Sequence, residues 1–545
     1  MQRRNSFLCA FLILVLAAQG LRADPQEPSF LGKPLSKWTE ELGNQDPRIR
    51  RSAAFALGKI GFASVQAVPK LTKLLKDNNA GVREAAASAL GDVGLTGWEG
   101  TLPGLIEVLA HDSDTLVKAG AAMALGKLGH QAAANENEAA DTIREALEKA
   151  LADAQPSVRQ NAAWALGRLG AKKGAAAVPA LTRALEDADP LVRRDAAAAL
   201  RELGPGAHAA VVPLVAHFKS DKDAEVRKTA LNALVNIVAS EDRAIAKDLR
   251  AALRSDDAEI VRAAALALAN IGGNEASAAV PVLCEALADK EVANRRLAAA
   301  ALARIGEQAA PGVTALSKAL SDRDAVVRRN AALALAHIGP RAAPAVSALA
   351  EVVGSKQPDE VRLYAAEAIA NIGPNVEPAV PTLRRVLKED SNWRIRQRAV
   401  WALSHLEGPE RAEIVPSLSA VLTETDPGSR ILRYESAIVL GMLQAENASD
   451  KTIDILQALL NDKDVGVYKG AQTNVKSAGS EARNPDAGVA QSVSGDSRWM
   501  AAEALARIGK KANRPDIIKS LKEAAEASDP KVRDAAKEAL RKIQG

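Results

Sequence analysis

Cysteine and aromatic residues are scarce in this 545-residue chain. There are two cysteines, Cys9 and Cys284, and Cys9 lies within an apolar run near the N-terminus. A count of two excludes a disulfide framework and a cysteine-based zinc site. Aromatic residues make up 3% of the chain and hydrophobic residues 48%, so Ala, Leu and Val must fill the core. Such small aliphatic side chains suit closely packed helices.

Convergent catalytic groups are also missing from the sequence. It contains no HExxH metal motif, no GxxxxGK[ST] phosphate loop and no GxSxG nucleophile turn. No histidine is followed directly by glutamate, and the six histidines are scattered: His111, His130, His208, His217, His337 and His405. We therefore expect a protein that is not an enzyme and has no cofactor or metal site.

An excess of charge of one sign is absent as well. The 71 basic and 67 acidic residues give a net charge of +4. Removal of Arg3, Arg4 and Arg22 with an N-terminal export segment would leave 4 − 3 = +1. A nearly neutral chain disfavours a nucleic-acid partner.

Residues 1–23 have the order of a secretory signal peptide. Arg3 and Arg4 precede the apolar stretch Phe7–Ala18, and small and polar residues follow it. Twelve helical residues rise about 18 Å, against roughly 30 Å of hydrocarbon in a bilayer. We predict cleavage that leaves a chain beginning near Leu21 or Asp24, export to the periplasm or the medium, and no membrane span in the mature chain. An uncleaved anchor is the alternative.

From residue 46 onward, one pattern recurs with a period near 34. An acidic residue precedes Val-Arg, an Ala-rich run follows, and a glycine stands eleven residues after the arginine. This regular spacing is the signature of a solenoid. The basic positions are Arg50, Arg83, Lys118, Arg159, Arg193, Arg227, Arg262, Arg295, Arg328, Arg362, Arg396, Arg433, Arg498 and Arg533.

Each repeat is predicted to form two helices. The first begins at a proline, as at Pro69, Pro179 and Pro416. The second follows an Asp-rich turn that caps it and ends at the glycine. We expect an all-α solenoid of about 14 repeats over residues 46–545, with a low-complexity insertion at 468–497. Residues 24–45 form a linker and cap, in which Leu35 and Trp38 cover the end of the core.

The pattern resembles the HEAT-repeat family, in particular the short-unit class named after phycobilisome lyase. That resemblance implies a right-handed superhelix in which aspartate and arginine form a structural ladder between neighbouring repeats. It does not imply lyase activity, because the same repeat serves many proteins that are not enzymes. The ladder residues, spaced six apart, are Asp77 and Arg83, Asp112 and Lys118, Asp153 and Arg159, Asp187 and Arg193, Asp221 and Arg227, Asp256 and Arg262, Asp289 and Arg295, Asp322 and Arg328, and Asp390 and Arg396.

The face of the second helix is predicted by counting from the ladder cation as position zero. At 100° per residue, positions −1, +3, +6, +7 and +10 form the core face, and positions +1, +2, +5, +8 and +9 form the opposite face. Polar residues at +5, such as Ser88, Glu367 and Glu503, indicate that this opposite face is exposed. In other repeats the same position carries Phe55, Met123, Trp164 and Trp401.

These large residues suggest a binding surface, because the resemblance places second helices on the inner surface of the solenoid. An amphipathic groove with aromatic anchors is typical of surfaces that bind a peptide. The alternative is that the aromatic rings lean onto neighbouring helices and shield them. The predicted partner-binding residues are Phe55, Trp164, Arg168, Trp401 and His405.

The sequence therefore favours an exported scaffold that binds a protein or peptide of unknown identity. Two alternatives stay open. One is a lyase-like protein that binds a pigment or cofactor. The other is a solenoid that binds a polyanion through basic residues at position +1: Arg51, Arg194, Lys228, Arg296 and Arg329.

Overall fold

The computed structural model describes residues 27–94, 98–136, 138–406, 410–424, 430–444, 448–462 and 498–545. The predicted signal peptide at 1–23 and the predicted insertion at 468–497 lie outside these ranges. The chain forms two compact units, Met1–Val238 and Ala239–Gly545.

The N-terminal unit begins with two short antiparallel strands, β1 (Ser29–Phe30) and β2 (Lys33–Pro34). Helix α1 (Leu35–Glu41) follows. The first helices of its repeats are α3 (Val68–Leu74), α5 (Trp98–His111), α7 (Ala139–Ala150), α10 (Val178–Ala184) and α12 (Val211–Ser220). The second helices are α2 (Pro47–Ile60), α4 (Ala80–Val93), α6 (Thr115–Ala134), α8 (Pro156–Arg168), α11 (Pro190–Leu203) and α13 (Ala224–Ile237), with a short α9 (Gly170–Gly174) after α8.

The C-terminal unit repeats the same order. Its first helices are α14 (Ala246–Ala252), α17 (Val280–Ala286), α19 (Val313–Ala319), α21 (Val346–Val353), α23 (Val380–Glu389), α25 (Glu410–Val421), α27 (Asp450–Asn461) and α29 (Pro515–Ala524). Its second helices are α15 (Ala258–Ile271), α18 (Val292–Ile305), α20 (Ala325–Ile338), α22 (Asp359–Ile372), α24 (Trp393–Ser404), α26 (Arg430–Gln444), α28 (Arg498–Ile508) and α30 (Pro530–Gln544), with a short α16 (Gly273–Ala276) after α15.

Short 3₁₀ turns connect many second helices to the next first helix. They are Gly61–Ala67, Ala175–Ala177, Gly204–Ala210, Arg243–Ile245, Ser277–Ala279, Gly306–Gly312, Gly339–Ala345, Glu377–Ala379 and Gly509–Ala512.

The ends of the second helices follow the capping pattern that the sequence predicts. The Asp189 side chain accepts from the backbone N–H of Leu191, and Asp324 accepts from those of Val326 and Val327. At the other end, Gly204 and Gly339 have φ of 57° and 67°. Glycine adopts this left-handed conformation without the steric cost that a Cβ adds, so it ends the helix.

Two helix boundaries differ from the prediction. Helix α6 continues through Gly129 to Ala134, so the expected stop at Gly129 is wrong. A Cβ on Gly129 would lie 2.6 Å from Leu169 Cδ2, which indicates that this glycine permits close packing. Helix α25 begins at Glu410, six residues before Pro416. Pro416 therefore lies inside the helix, where it lacks an N–H donor and its ring crowds the carbonyl four residues earlier, yet the residues on both sides stay helical.

The core lies between first and second helices, at the positions that helical periodicity predicts. In α4, Val82, Ala86, Leu90 and Val93 are fully buried. At the N-terminal end, α1 packs against α2, and Leu35 and Trp38 are half-buried there. The Trp38 Nε1 donates to the carbonyl of Phe30 at 3.2 Å, which joins α1 to β1.

Position +8 packs against the next second helix, so its predicted place on the exposed face is wrong. In the N-terminal unit this position is a buried glycine in four repeats: Gly58, Gly91, Gly126 and Gly167. A Cβ on Gly91 would lie 2.7 Å from the Cα of Ala124 on α6. The helices therefore approach backbone to backbone. In the C-terminal unit alanine occupies the position in four repeats: Ala303, Ala336, Ala370 and Ala506.

Candidate functional site

The ladder residues join consecutive repeats through paired hydrogen bonds. The Arg83 Nε and Nη2 donate to the two carboxylate oxygens of Asp112 in the next repeat, at 2.7 and 2.8 Å. Its Nη1 donates to the backbone carbonyl of Asp77, six residues earlier, at 2.9 Å. The residues spaced six apart are thus linked through a backbone carbonyl, and each aspartate carboxylate pairs with the arginine of the preceding repeat.

Several other repeats have the same geometry. The Asp187 carboxylate accepts from Arg159 at 2.7 and 2.8 Å and from the backbone N–H of Asp189 at 2.9 Å. Each acceptor is thereby fixed by a side chain and by its own turn. The other paired links are Arg50–Asp77, Arg193–Asp221 and Arg295–Asp322. Arg362 differs, because its Nη2 alone donates to Asp390 and its Nε donates to the backbone carbonyl of Val353.

The link also changes where the residues depart from the sequence pattern. Lys118 replaces arginine and makes one contact to Asp153, at 2.8 Å. Arg262, whose register slips by one residue, lies 3.7 Å from Asp289. Two other links use a different acceptor: Arg328–Gln357 and Arg396–Glu424.

The electrostatics of the ladder are those of a structural ion pair. Hydrogen bonds from Arg159 hold the pKa of Asp187 below its ordinary value, against the opposing effect of burial. The hydrogen bond to Asp112 likewise raises the pKa of Arg83. Both groups stay charged at neutral pH and are saturated with partners. They hold the repeats together and offer no free group for chemistry.

We define the second-helix face as positions +1, +2, +5 and +9 of the second helices. In the N-terminal unit it carries three large apolar side chains that stay exposed, Phe55 at 54%, Met123 at 41% and Trp164 at 37%. In the C-terminal unit, by contrast, Leu333 and Glu367 at the same +5 position are covered, being 5% and 7% exposed. The prediction that Glu367 marks an exposed position is therefore wrong.

Two of the predicted anchors contact neighbouring elements, and for Trp164 this contact is part of the alternative in which the rings lean onto neighbouring helices. Phe55 meets Phe30 of β1 edge to face, with ring centroids 6.2 Å apart, and this contact leaves over half of Phe55 exposed. Trp164 lies beside Gly126 on α6, where a Cβ would come within 3.0 Å of its ring. The glycine makes room for the indole, so part of the ring is packed and the rest faces solvent.

A basic side chain lies over the aromatic ring of Phe55 and another lies over that of Trp164. The Lys59 Nζ lies 5.2 Å from the centroid of Phe55, and the Arg168 guanidinium lies 6.0 Å from that of Trp164. In both pairs the cation is four residues after the ring, so the two side chains share one helix face. The predicted residue Arg168 is exposed at this place.

Trp401 and His405 occupy a different environment in the C-terminal unit. Trp401 is half-buried, and the His405 Nδ1 lies 2.8 Å from the backbone carbonyl of Trp401. The Gln397 Nε2 donates to Glu435 Oε1 at 2.6 Å, and Arg398 Nε lies 3.6 Å from Glu367 Oε2. Trp401 therefore lies within a polar cluster that connects α22, α24 and α26.

Glu435 in this cluster was not identified from the sequence as a special residue. Burial raises its pKa to about 7, against the opposing effects of Gln397, Trp401 and the charge of Arg398. Its Oε2 is buried without a hydrogen-bond partner. Only the three-dimensional contacts reveal this, since glutamate at position +2 is an ordinary surface residue in a helical pattern.

Within the described residues, no group of three or more His, Cys, Asp and Glu side chains could hold a metal ion. In the same part of the chain, no helix is long and apolar enough to cross a membrane. The thiol of Cys284 is partly buried, and burial raises its pKa. A raised pKa disfavours the nucleophilic thiolate form.

Sequence comparison supplies the family. HEAT repeats match the chain in seven overlapping segments, which cover most of it: 35–126, 102–201, 143–235, 211–303, 280–370, 346–415 and 380–475. The chain belongs to the HEAT-repeat family. Its two-helix units and interrepeat ladder are those of an all-α solenoid, as predicted. The short-unit class of HEAT repeats named after phycobilisome lyase stays a prediction.

Other comparisons add little to this HEAT-repeat assignment. No curated protein matches the chain. Among solved structures, an engineered protein from the Northeast Structural Genomics Consortium is 25% identical, over 68% of this chain and 98% of that chain, with a TM-score of 0.48.

Proposed function

We propose that this HEAT-repeat protein is an exported, non-enzymatic scaffold that binds a protein or peptide segment on the second-helix face of its N-terminal unit. HEAT repeats are typical modules of protein interaction, and stacked repeats offer a long surface for a partner. One observation carries the proposal: large apolar side chains at position +5 stay exposed in this unit.

Trp164 gives the clearest support. Repeats with Ser88 or Ala198 at the same position keep the same ladder and helices, so an indole is unnecessary for the repeat to fold. Tryptophan is the residue most enriched among interface hot spots, and arginine is another. The exposed pair of Trp164 and Arg168 therefore fits a binding role better than a purely structural one.

Export is supported by the order of residues at the N-terminus. A basic pair, a short apolar run and a small-residue segment precede the first repeat. A scaffold delivered by this route would meet partners in the periplasm or the medium. Intact-mass analysis of the native protein should give a chain that begins near Leu21 or Asp24, whereas an unprocessed cytoplasmic chain would contradict export.

The binding proposal is tested by capture of proteins from the native extracytoplasmic fraction, with the full mature chain as bait. Trp164→Ser should weaken capture of the main partner about 30-fold, which corresponds to about 2 kcal/mol of binding free energy. The matched control is Val212→Ser, which removes another exposed apolar side chain, on first helix α12.

Binding must be compared with stability in the same variants. A structural role for Trp164 would show as a large loss of thermal stability with unchanged capture. That outcome, or equal weakening by Val212→Ser, would contradict the proposal.

A further inference from the structure

The apolar residues of the N-terminal second-helix face occur together with basic ones. Where position +5 is large and apolar, position +9 is a cation: Phe55 with Lys59, Met123 with Lys127, and Trp164 with Arg168. Where position +5 is small, position +9 is an acid, as in the pairs Ser88 with Asp92 and Ala198 with Glu202. The face therefore presents its hydrophobic anchors and its positive charges at the same points.

The charges of this face are only partly neutralised. Lys127 pairs with Asp92 of the preceding repeat at 2.5 Å. In contrast, Lys59 and Arg168 are exposed and have no acidic partner among the described residues; each instead lies over its aromatic ring. Arg51, at position +1 beside Phe55, is exposed and also has no such partner. An acidic group of a ligand at Phe55 or Trp164 could therefore pair with a basic side chain that has no acidic partner in the protein.

Helix spacing sets the length of a matching ligand. Adjacent packed helices lie about 8–10 Å apart, and the backbone contacts at Gly58, Gly91 and Gly126 favour the short end of that range. Helices α2 and α8 are three such steps apart, or roughly 25 Å. An extended chain advances about 3.3 Å per residue, so about eight residues span the three anchors.

We propose that this surface binds an extended, acidic peptide segment of about eight residues, in which large apolar side chains and carboxylates alternate. The apolar side chains would contact Phe55, Met123 and Trp164, and the carboxylates would pair with Lys59 and Arg168. The inference rests on the proposed function, since it names the chemistry of the partner at the same face.

A nucleic acid also combines negative charge with groups that stack on aromatic rings. The face does not favour it, because Glu84 and Asp92 on α4 interrupt the basic residues of α2, α6 and α8, and Glu202 follows on α11. A continuous phosphate backbone would meet these acids, whereas a peptide can place neutral residues opposite them. We therefore argue for the peptide and make nucleic acid an outcome of the test.

The test is selection of binders from a random 12-residue peptide library displayed on phage, with the full mature chain as target. Selected sequences should be rich in Asp or Glu together with Leu, Phe or Trp. Synthetic copies are then measured by fluorescence anisotropy. Lys59→Glu and Arg168→Glu should each weaken binding about tenfold, and Trp164→Ser about 30-fold.

Matched controls place the same charge change on first helices. Lys73→Glu and Arg183→Glu reverse exposed cations on α3 and α10 and should leave peptide affinity within about twofold, since these side chains lie off the second-helix face. Oligo(dT) and heparin serve as polyanion probes. We expect both to bind more weakly than the selected peptides.

The possible failures separate the two proposals. Basic or uncharged selected peptides, or charge reversals that match their controls while Trp164→Ser weakens binding, would overturn the acidic chemistry and leave the peptide-binding face intact. Tighter binding of oligo(dT) or heparin would also overturn the acidic-peptide inference. Failure of the library to yield binders, or full affinity in Trp164→Ser, would count against both.

Discussion

The two units share a ladder and a core but differ on the second-helix face. In the N-terminal unit, glycine at position +8 brings neighbouring helices into backbone contact, and Phe55, Met123 and Trp164 at +5 face solvent. In the C-terminal unit, position +8 is alanine in four of the eight second helices, and Leu333 and Glu367 at +5 are covered. The same repeat can therefore present an open or a closed surface.

This difference shows that the residues which define the repeat leave its binding surface free to vary. Ladder pairs such as Arg83–Asp112 and Arg295–Asp322 have nearly the same geometry in both units. What differs are positions that the ladder does not constrain. Substitutions at such positions can change the surface while the ladder contacts stay in place.

The largest expected effect tests the burial contrast directly. Leu333→Ser should lower the free energy of unfolding by about 3 kcal/mol, since a buried side chain is lost and a hydroxyl is left in its place. Trp164→Ser should cost about 1 kcal/mol, because the indole is only partly packed. Urea denaturation followed by circular dichroism measures both losses. Equal losses of unfolding free energy in the two variants would contradict the difference in burial at position +5 between the two units.

A second comparison concerns the glycine contacts. Gly91→Ala should destabilise the N-terminal unit by about 2 kcal/mol, because the new Cβ would overlap Ala124 and force the helices apart. Gly120→Ala is the matched control in a neighbouring second helix. Its Cβ would meet only ordinary contacts, the nearest at 3.6 Å, so the higher helix propensity of alanine should stabilise by up to about 1 kcal/mol. If Gly91→Ala and Gly120→Ala shift the thermal unfolding temperature in the same direction, the proposed role of Gly91 in close helix packing is contradicted.

The ladder should give a smaller, coupled effect. Arg159→Ala and Asp187→Ala should each cost about 1–2 kcal/mol, and the double variant should cost less than their sum since the two share one interaction. Arg194→Ala, which removes a half-buried neighbouring cation paired with Asp195, should cost less than about 1 kcal/mol. Additive losses in the double-mutant cycle would contradict the pairing.

The same link predicts a pH dependence that differs between an aspartate link and a glutamine link. The lowered pKa of Asp187 gives stability that is present above its ordinary pKa and lost as pH falls through the folded value. The loss caused by Asp187→Ala should therefore shrink in acid. Arg328 pairs with the neutral Gln357 in the C-terminal unit, so the loss caused by Gln357→Ala should stay constant over the same range.

The smallest expected effect concerns Glu435. Its folded pKa of about 7 lies above the ordinary value of 4.5, so the folded state binds the proton more tightly and stability falls as pH rises between these values. Glu435→Gln should gain about 1 kcal/mol at pH 8 and nothing at pH 4. We expect less than the full shift allows, because Arg398 loses an attractive charge. A wild-type stability that does not fall from pH 5 to 8 would contradict the raised pKa.

The spacing of residues along the sequence predicts those structural features that are formed within a single repeat. The helices, the buried Val82 and Leu90, the capping Asp189 and the turn glycine Gly204 all follow from local spacing. The resemblance supplied the ladder residues, but it did not say which arginine meets which carboxylate. That pairing depends on how neighbouring turns align in space.

Features set by the distance between helices could not be predicted. The sequence places Gly91 on an exposed face, whereas close packing buries it against Ala124. Glu367 looks like a solvated residue until Arg398 from the next repeat lies beside it. The prediction of exposed anchors applies best to Phe55 and Trp164 and less well to the half-buried Trp401.

The short sequence separation of the ladder bonds has a kinetic consequence. Arg83 and Asp112 are 29 residues apart, and Lys118 and Asp153 are 35 apart, in a chain of 545. Each such bond closes a loop of about one repeat, so the entropy lost per bond depends on the length of the repeat and not on the length of the chain. Folding can therefore begin at any repeat and spread to its neighbours, and the rate should depend on contacts within and between adjacent repeats. A chain of this size can in this way fold without a search for distant partners.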